Sequence, residues 1–503
     1  MPSALLAVDI GTSAIKVAAF DASGRLLGLR RGETPTNRFG EGCAEHNTEA
    51  LWDVSARLLS ELVAEMAGYR FEAVATASVG EAGVPISASG LAVRPAIAWF
   101  DSRGESEAAW WDREVGLDAV YRITGQPIDS HYGINRLMWL REHEPDAFAA
   151  TSRWLALSDY VILRLSGVVA TDYTMASRTM VFDQRRLAWS GELLERAGLS
   201  PTLMPDAYPS GTRVGAITRE AAARTGLPQG TPVVTGGHDR LCAAFASRGT
   251  DLIVVDSTGS AEAVVVPVPR FIERNAAESG YAACYADVIP GQYVVSARVG
   301  YAGALIDWFR LLCPSARPAN HLTIDDEIGW PLRPSGLIVY PSFGRVVAPE
   351  WNPAAAPGAI LGLTLATRPV DIAQALIEAV GYSLRANLDS LEAGMGSPIE
   401  TVRVEGSLTA SRTWMQLKAD VTGRSVEGIH LDEATALGAA LLGGVGAGVF
   451  PDHAAAGAAV QRELVAWHPD PDRAAAYARV YASGFRRLPG MIADLASALS
   501  QGW

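Results

Sequence analysis

Two short turns rich in glycine, serine and threonine follow apolar runs in the two halves of the chain. Residues 5–13 contain the first run and turn, and residues 252–260 contain the second. Backbone N–H groups and hydroxyls in such turns bind anions without a lysine. Two turns of this kind that face each other across a cleft would hold a nucleotide triphosphate from both sides. The alternative is that Gly11 and Gly259 only close hairpins.

Each apolar run ends in an aspartate, Asp9 in the first and Asp256 in the second. A carboxylate at this point repels phosphate, but it can hold Mg²⁺ through water molecules. Lys16 lies three residues beyond the first turn, and Lys418 is the only other lysine in the chain. The position of Lys16 therefore favours a ligand-binding role for the first turn.

A glycine pair precedes an aspartate near the middle of the chain. The apolar residues 233–235 lead into Gly236 and Gly237, which permit the close approach of a ligand. Asp239 has two interpretations. It caps the following helix, which is worth about 1 kcal/mol, or it is a general base that takes a proton from a hydroxyl, worth roughly 10²–10⁴-fold in rate. The intervening His238 is interpreted as structural, because the sequence shows no further metal ligands around it.

The composition excludes several classes of protein. The chain has 503 residues, a formal net charge of −13 and only two lysines. A Walker A loop needs a Gly-Lys dipeptide, which neither lysine provides, and a polybasic surface for nucleic acid conflicts with the acidic charge. The four cysteines are far apart and include no C-x-x-C pair, so neither a zinc site nor a disulfide framework is indicated. We attribute the excess of arginine over lysine to genomic base composition.

One uncharged stretch, residues 434–451, needs to be distinguished from a membrane span. It consists largely of alanine and glycine, which predicts a helix packed through small residues. The N-terminal segment lacks the basic region of a signal peptide. The sequence therefore predicts a cytoplasmic protein that binds neither membrane nor nucleic acid.

The elements that position these residues follow an α/β pattern. Apolar residues at helical spacing predict helices over residues 51–66 and 372–391, and short apolar runs predict strands that follow helices. The strand-turn-strand unit of the N-terminus recurs from residue 252, and a comparable strand and turn precede a helix at residues 402–421. This recurrence predicts a duplicated domain. We place the boundary just before Ser247, which gives domains of residues 1–246 and 247–503.

The turn at residues 6–13 resembles the first phosphate motif of the FGGY carbohydrate kinases, a family of the actin/hexokinase/Hsp70 ATPase superfamily. Segments similar to other motifs of that family follow in order along nearly the whole chain, at residues 96–103, 157–160, 165–167, 171–173, 236–239, 414–421 and 433–440. No motif is decisive alone, but their order and spacing together are specific. The resemblance implies an α/β fold with two ribonuclease-H-like, actin-like ATPase domains. Their mixed sheets would be flanked by helices, with ATP and a sugar in the cleft between them.

The resemblance also implies roles for individual residues. Asp239 takes the position of the catalytic base, and Asp9 and Asp239 take that of the Mg²⁺ site, whereas Asp256 has no assigned role. The residues matched to nucleotide binding are Gly11, Thr12, Ser13, Lys16, Gly259, Ser260, Gly303, Asp307, Gly406, Ser407 and Ser411. Ser407 departs from the glycine pair of the family and places a Cβ against the purine ring.

Substrate binding is matched to a second set of residues, namely Gly80, Glu81, Trp99, His131, Asp239 and Arg240. In the family, pentulose kinases tend to have Met-His at the position of Gly80 and Glu81, and glycerol kinases have Arg-Glu. Glu81 would accept hydrogen bonds from two vicinal hydroxyls, unless it is a solvated loop carboxylate, and Trp99 would line the pocket unless it belongs to the core. A glycine in place of the arginine favours a substrate longer than glycerol, and Glu81 argues against an acidic one. We expect a ketose or polyol of four to six carbons, xylulose-like first.

These assignments predict an ATP-dependent kinase that transfers the γ-phosphoryl group of Mg-ATP to a primary hydroxyl of a small sugar or polyol. The alternative is a sugar-binding sensor or scaffold with the kinase fold and no turnover, and a chaperone-like ATPase is a third interpretation. The joint presence of Asp9, Gly11, Thr12 and Asp239 argues against the sensor. The expected ligands are ATP, Mg²⁺ and the small sugar. The sequence is silent on oligomeric state, for which a homodimer is one alternative.

Overall fold

The computed structural model describes residues 1–40, 42–273, 282–313, 328, 332–342 and 358–492. Within these ranges, one large mixed β-sheet lies in each half of the chain, and helices flank both sheets. This arrangement confirms the predicted α/β class with two mixed sheets.

Six strands form the sheet of the N-terminal half, which we call the first sheet. Its spatial order is Arg213–Ala216, Pro232–His238, Arg70–Ser78, Ser3–Ile10, Ala14–Phe20 and Leu26–Glu33. The three central strands from Pro232–His238 to Ser3–Ile10 are parallel, and the remaining pairs are antiparallel. The carboxyl ends of the parallel strands therefore meet at one edge of the sheet.

Seven strands form the sheet of the C-terminal half, which we call the second sheet. Its spatial order is Ala283–Ala286, Tyr293–Tyr301, Ala261–Val268, Val254–Thr258, Thr401–Glu405, Ser425–Ile429 and Leu464–Trp467. The edge strand Ala283–Ala286 has no counterpart in the first sheet. The other six strands have the same order and the same parallel and antiparallel pairings as the first sheet read from its opposite edge. The duplication predicted from the two turns is therefore present in the described structure.

Smaller sheets and the helices complete the described fold. A five-stranded sheet contains, in spatial order, Thr36–Phe39, Cys43–His46, Ala96–Ile97, Gly83–Ile86 and Arg153–Ala156. The two-stranded pairs are Ala170–Asp172 with Asp206–Tyr208, Phe182–Asp183 with Ala188–Trp189, and Ile338–Tyr340 with Ala359–Leu361. The α-helices are Thr48–Glu65, Glu105–Glu114, Leu117–Thr124, Gly133–His143, Pro145–Ala150, Leu157–Ser166, Tyr173–Ser177, Gly191–Arg196, Arg219–Thr225, Asp239–Arg248, Gly303–Leu312, Pro369–Met395, Arg412–Thr422, Ala434–Gly446, His453–Ala459 and Pro471–Ser483. Short 3₁₀ helices are Pro201–Leu203, Ser407–Ala410 and Phe485–Arg487.

Both long helices predicted from apolar spacing are present. The first spans Thr48–Glu65, where the Asn47 side chain caps the start by accepting a hydrogen bond from the N–H of Ala50 at 3.0 Å. The second spans Pro369–Met395, with a proline at its first position. A proline is tolerated there because its missing N–H would have no partner inside the helix.

The small-residue helix Ala434–Gly446 packs across the two halves of the chain. It belongs to the second half, yet it contacts the strands of the first sheet and the helix Asp239–Arg248. A Cβ at Gly438 would overlap the carbonyl oxygen of Cys242, so glycine is required for this approach. Among the described residues, no helix combines the length and apolar character that a bilayer crossing requires.

The predicted domain boundary at residues 246–247 falls inside the helix Asp239–Arg248. The strand Val254–Thr258 of the second sheet begins only after this helix. The boundary itself stays a prediction, and the chain between Gly249 and Ile253 is the connection that the structure offers for it.

Candidate active site

The first turn is held by hydrogen bonds on both sides of its glycine. The N–H of Gly11 donates to the carbonyl of Ala14 at 3.0 Å, and the hydroxyl of Thr34 donates to the carbonyl of Gly11 at 2.8 Å. This N–H closes the hairpin, as the alternative interpretation proposed, and is not free for an anion. Within the described residues, the N–H groups of Thr12 and Ser13 have no acceptor. The anion-binding role predicted for the turn therefore moves to these two groups.

The second turn uses its glycine in the same way. The N–H of Gly259 donates to the carbonyl of Ala261 at 3.1 Å, while the N–H of Gly303 donates to the carbonyl of Gly259 at 2.8 Å. The N–H of Ala302 donates to the carbonyl of Ser260 at 2.9 Å. Helix Gly303–Leu312 is thus anchored to the turn, and Gly303 lies beside Gly259. Its contact with the nucleotide stays a prediction.

The residues matched to the purine lie beside the second turn. Gly406 has a φ of 105°, and a Cβ there would overlap the carbonyl oxygen of Thr258, so only glycine fits. A Cβ at Gly259 would lie 4.0 Å from the Ser407 hydroxyl oxygen. The structure therefore brings Gly259, Gly406 and Ser407 together at one end of the second sheet.

Two further residues predicted to bind the nucleotide lie within a helix or at the start of one. Asp307 is exposed on the helix that begins at Gly303, one turn along. Ser411 is fully buried, and its hydroxyl oxygen accepts a hydrogen bond from the N–H of Trp414 at 3.1 Å, which caps the helix Arg412–Thr422. A nucleotide contact of either residue stays a prediction.

Asp9 and Asp239 come together at the carboxyl edge of the first sheet. Ala77 registers with Asp9 on one neighbouring strand and with Gly237 on the other, so the strand of Asp9 and the segment before Asp239 flank the same residue. Asp239 begins the helix Asp239–Arg248. Burial and the negative charge of Asp239 raise the pKa of Asp9 to about 7, although the ammonium of Lys16 opposes the shift. The two carboxylates predicted to share a site therefore interact electrostatically.

Lys16 has a protein partner from the opposite half of the chain. Its Nζ lies 2.5 Å from Oε2 of Glu433, and both side chains are partly exposed. Glu433 has a φ of 51° and precedes the helix Ala434–Gly446. Lys16 therefore joins the first hairpin to the start of the helix Ala434–Gly446, which belongs to the second half of the chain. Its predicted nucleotide contact would compete with this ion pair.

The Asp9–Asp239 pair fits a hydrated Mg²⁺. A divalent cation would offset the repulsion that raises the pKa of Asp9, and Mg²⁺ commonly takes one or two protein carboxylates with water and phosphate oxygens as its other ligands. The described residues contain no cluster of three or more histidine, cysteine or acidic side chains that could hold a metal alone. A site built from two carboxylates and a bound phosphate matches this donor set.

Asp256 is the structural counterpart of Asp9. It is fully buried, and Lys418 donates to its carboxylate and also to Oε2 of Glu262, the latter at 2.7 Å. Burial and the charge of Glu262 raise the pKa of Asp256, and Lys418 opposes the shift. The absence of an assigned role for Asp256 agrees with this paired position.

Glu81 lies in a buried polar cluster and is not a solvated loop carboxylate. Its Oε1 accepts two hydrogen bonds from the guanidinium of Arg178, the one from Nε at 2.6 Å. Burial alone would raise the pKa of Glu81, but Arg178, His131 and His238 outweigh it and lower the pKa to about 2. Glu81 is therefore a permanently ionised acceptor.

His131 lies next to Glu81, as the sequence predicted. Its Nε2 is 3.6 Å from Oε1 of Glu81, and its Nδ1 is 2.6 Å from Oδ1 of Asp129. Arg298, from the second sheet, places a guanidinium nitrogen 3.1 Å from the same Nε2. Residues of both halves of the chain thus surround His131.

The position of Gly80 corrects the expected shape of the pocket. A Cβ at Gly80 would lie 2.9 Å from Cδ2 of His238 and 3.0 Å from Cγ of Arg178. The space that a larger side chain would fill is therefore occupied by these two residues. Gly80 does not open the pocket, and the argument for a substrate longer than glycerol loses this support.

Trp99 and Arg240 flank the carboxylate pair. The indole Nε1 of Trp99 donates to the Thr12 hydroxyl oxygen at 2.9 Å, so this tryptophan connects the sugar-side residues with the first turn. The N–H of Arg240 donates to Oδ1 of Asp239 at 2.6 Å. The Arg240 side chain is partly exposed, beside the predicted base.

Sequence reasoning missed Arg178, Asp129, Arg298 and Glu433. Arg178 and Arg298 carry no local pattern, because arginine is abundant in this chain and each reaches the site from a distant segment. Asp129 offered a weak signal, since it lies two residues before His131. Glu433 lies at the start of a segment recognised as a motif, but its ionic partner was not evident from spacing.

The fold and the paired turns define a two-domain phosphotransferase of the actin-like ATPase type. Residues 4–246 match the N-terminal domain of the FGGY family of carbohydrate kinases, and residues 257–447 match its C-terminal domain. The chain is 30% identical over 469 residues to a glycerol kinase from Methylibium petroleiphilum, covering 89% of this chain and 91% of that protein. The chain therefore belongs to the FGGY family of carbohydrate kinases, whose members transfer a phosphoryl group to sugar or polyol hydroxyls.

Solved structures of the family share the fold along nearly the whole chain. A xylulose kinase from Rhodospirillum rubrum superimposes with a TM-score of 0.88 at 26% identity, covering 98% of this chain and 100% of the other. A gluconate kinase from Lactobacillus acidophilus gives a TM-score of 0.90 at 21% identity, covering 99% and 100%. Since the substrates named for these relatives differ, the likeness establishes an ATP-dependent sugar or polyol kinase and leaves the particular sugar open.

Proposed function

We propose that this protein phosphorylates a primary hydroxyl of a small neutral sugar or polyol with Mg-ATP, and that a xylulose-like ketose is the preferred substrate. The observation that supports the proposal is the set of neighbours of Asp239. Its carboxylate interacts electrostatically with Asp9, and its Oδ1 lies 3.5 Å from Nδ1 of His238, which in turn interacts with the buried Glu81. A hydroxyl held by Glu81 would approach Asp239, and the phosphate turns would hold the nucleotide on the other side.

In the proposed mechanism, Asp239 accepts the proton of the attacking hydroxyl. Its Oδ1 already accepts the N–H of Arg240, which leaves Oδ2 for the substrate. The hydroxyl oxygen attacks the γ-phosphorus in line while the bond to the leaving ADP oxygen breaks. The N–H groups of Thr12, Ser13 and Ser260 would donate to the phosphate oxygens as their negative charge redistributes.

Mg²⁺ held between Asp9, Asp239 and the phosphates would offset negative charge on the transferred group. Asp9 would hold the hydrated ion from a buried position, since its side chain is 6% exposed. Closure of the cleft would exclude water, so that the sugar hydroxyl and not water receives the phosphoryl group.

The proposed substrate class follows from the charge of the pocket. The ionised Glu81 would repel a carboxylate placed against it, whereas it would accept hydrogen bonds from neutral vicinal hydroxyls. Trp99 offers an apolar wall to a carbon chain. The preference for a ketose is supported by the likeness to the xylulose kinase of Rhodospirillum rubrum. The small size of Gly80 does not support it, because His238 and Arg178 fill the space beside this residue.

The test is an ATP-consumption screen over ketoses, polyols including glycerol, and aldonates, with ADP release as the readout. We expect stimulation by a neutral ketose or polyol, and loss of roughly 10²–10⁴-fold in kcat in Asp239→Asn. Asp452→Asn is a matched control, because Asp452 also lies at a helix start, where it accepts the N–H of Ala455 at 2.8 Å outside the site.

Three outcomes would contradict the proposal. If no sugar stimulates ADP release, the kinase function fails. If only aldonates do so, the assignment of a neutral substrate is wrong. If Asp239→Asn keeps the rate of the control, Asp239 is not the base.

A further inference from the structure

Arg178 is a buried cation that sequence comparison did not assign to the site. Its side chain is 9% exposed, and its guanidinium carbon lies 5.1 Å from the ring centre of Tyr132 and 5.3 Å from that of Tyr285. Tyr132 belongs to the first half of the chain, while Tyr285 lies on the edge strand Ala283–Ala286 of the second sheet. Two aromatic faces from opposite halves of the molecule therefore hold the guanidinium in place.

The guanidinium contacts only one oxygen of Glu81. Both Nε and one terminal nitrogen of Arg178 donate to Oε1, and a nitrogen also lies 3.4 Å from Oε1 of Gln126. Oε2 of Glu81 has no hydrogen-bond partner among the described residues. Because the guanidinium is planar and donates two hydrogen bonds to Oε1, it fixes the orientation of the carboxylate and therefore the direction in which Oε2 points.

The backbone around Glu81 is adapted to this arrangement. Glu81 has a φ of 65°, which is uncommon for a residue with a side chain and costs free energy that other contacts must offset. A Cβ at Gly80 would lie 3.0 Å from Cγ of Arg178, so glycine leaves room for the arginine. The glycine, the strained glutamate and the arginine therefore form one unit, which we call the Glu81 clamp.

We propose that Arg178 is the positioning residue of the sugar site, where it binds Oε1 of Glu81 and directs Oε2 to accept hydrogen bonds from a pair of substrate hydroxyls. This inference rests on the proposed function of the same site. Arg178 itself would not contact the reacting atoms, so its loss should weaken sugar binding more than it slows phosphoryl transfer. The stem of Arg178 lies where a side chain at position 80 would begin, since its Cγ would be 3.0 Å from a Cβ at Gly80.

Several other charged or titratable groups face Glu81 and must be considered in any pH test. His131 and His238 lower the pKa of Glu81, while the buried Tyr132 and Arg136 also interact with it. None of them donates to Oε1 within 3.5 Å. Arg178 therefore supplies the hydrogen bonds to the carboxylate, and its removal would let burial raise the pKa of Glu81.

The experiment compares Arg178→Met and Arg178→Lys with the wild-type enzyme by steady-state kinetics on the sugar that the screen identifies. We expect Arg178→Met to increase the sugar KM about 10- to 100-fold, the range for a lost hydrogen bond to a charged group. The ATP KM should remain unchanged and kcat should fall much less, because ground-state and transition-state binding are lost together. Arg178→Lys should restore part of the sugar affinity, since it keeps the charge but not the planar grip.

Arg164→Met is the matched control. Arg164 also pairs with a glutamate, Glu49 at 2.8 Å, and its guanidinium lies over the rings of Trp52 and Tyr160 at 5.2 and 5.6 Å. It lies outside the sugar cluster, so Arg164→Met should leave the sugar KM unchanged. A general effect of removing a ring-stacked arginine would change the kinetics of both variants.

The pH dependence separates a positioning role from a merely structural one. The ratio of the sugar KM of Arg178→Met to that of the wild type should grow from about pH 8 to about pH 5.5, because Glu81 becomes protonated only in the variant. Titrations that both enzymes share, such as that of Asp9, cancel in this ratio. In Glu81→Gln, the additional change Arg178→Met should raise KM little further, since the two residues act as one unit.

Distinct results would overturn the inference and the proposed function. A wild-type enzyme without sugar-dependent turnover contradicts the function. An active wild type with an unchanged sugar KM in Arg178→Met, or with a KM ratio independent of pH, overturns the role of Arg178. If Arg178→Met does not fold, the variants Arg178→Lys and Gly80→Ala test the role of Arg178 instead. A sugar KM equal to that of the wild type in both variants would overturn that role.

Discussion

The two aspartates that end equivalent strands of the duplicated sheets have opposite surroundings. Asp9 faces a second carboxylate, Asp239, and the nearby Lys16 is paired with Glu433. Asp256 is paired with Lys418, which also satisfies Glu262. The same strand-turn framework therefore places two carboxylates close together in one half and a buried ion pair in the other. The two aspartates hold equivalent positions in the fold and differ in their counter-charges, so we expect only Asp9 to be available to a metal.

The largest expected effect is on turnover, and it distinguishes the two aspartates directly. Asp9→Asn should lower kcat by at least about 10²-fold, because charge stabilisation by a bound metal is worth several kcal/mol, and added Mg²⁺ should recover part of the loss. Asp256→Asn should leave kcat within a few-fold, since Lys418 keeps Glu262 as a partner. The measurement is kcat against Mg²⁺ concentration for both variants. Equal losses in the two would show that the comparison is wrong.

A large effect on stability is expected when the buried cation is removed. Lys418→Met leaves two buried carboxylates without a counter-charge, which should cost about 3–5 kcal/mol of unfolding free energy. The cost should be greater at pH 8 than at pH 5, because burial raises the pKa of Asp256 and this carboxyl becomes neutral as the pH falls. Denaturant unfolding at both pH values measures it. A loss of unfolding free energy below about 1 kcal/mol would mean that water solvates the carboxylates of Asp256 and Glu262.

The raised pKa of Asp9 predicts a pH-dependent stability effect of intermediate size. Since the folded pKa of about 7 exceeds the ordinary value of 3.8, the folded state binds the proton more tightly, and stability decreases as the pH rises between these values. In metal-free buffer at pH 8, Asp9→Asn should therefore be more stable than the wild type by roughly 1–4 kcal/mol. The advantage should vanish below about pH 4. Thermal unfolding across pH with a chelator present tests it, and a destabilised variant at pH 8 would contradict it.

The smallest effect is expected at Lys16. Its ion pair with Glu433 is partly exposed on both sides, so Lys16→Met should change the unfolding free energy by at most about 1 kcal/mol. Because Lys16 lowers the pKa of Asp9, the variant should shift the pH profile of kcat towards higher pH. Comparison with Lys418→Met under identical conditions provides the control. A stability loss equal to that of Lys418→Met would remove the distinction between the two lysines.

Local sequence patterns predicted the architecture, which the structure confirms, and they named most of the candidate site residues. Apolar runs that end in glycine-rich turns require strand hairpins, and their recurrence at residue 252 fixed the duplication, because side-chain periodicity is a local property of the chain. The motifs predicted that Asp9, Asp239, Glu81 and His131 share one cleft. In the structure Asp9 interacts electrostatically with Asp239 and Glu81 with His131, while His238 interacts with both Asp239 and Glu81.

The hydrogen-bond and ion-pair partners of these groups are visible only in the tertiary structure. The N–H groups of Gly11 and Gly259 close hairpins, so we expect the N–H groups of their neighbours to be the anion donors. The space beside Gly80 is filled by His238 and Arg178, and Arg178 arrives from a segment almost a hundred positions away. Asp9 and Asp256 each end an apolar run in the sequence, but they have different charged partners in the structure. Charge pairing depends on distances between side chains remote in the chain, and one-dimensional spacing does not contain those distances.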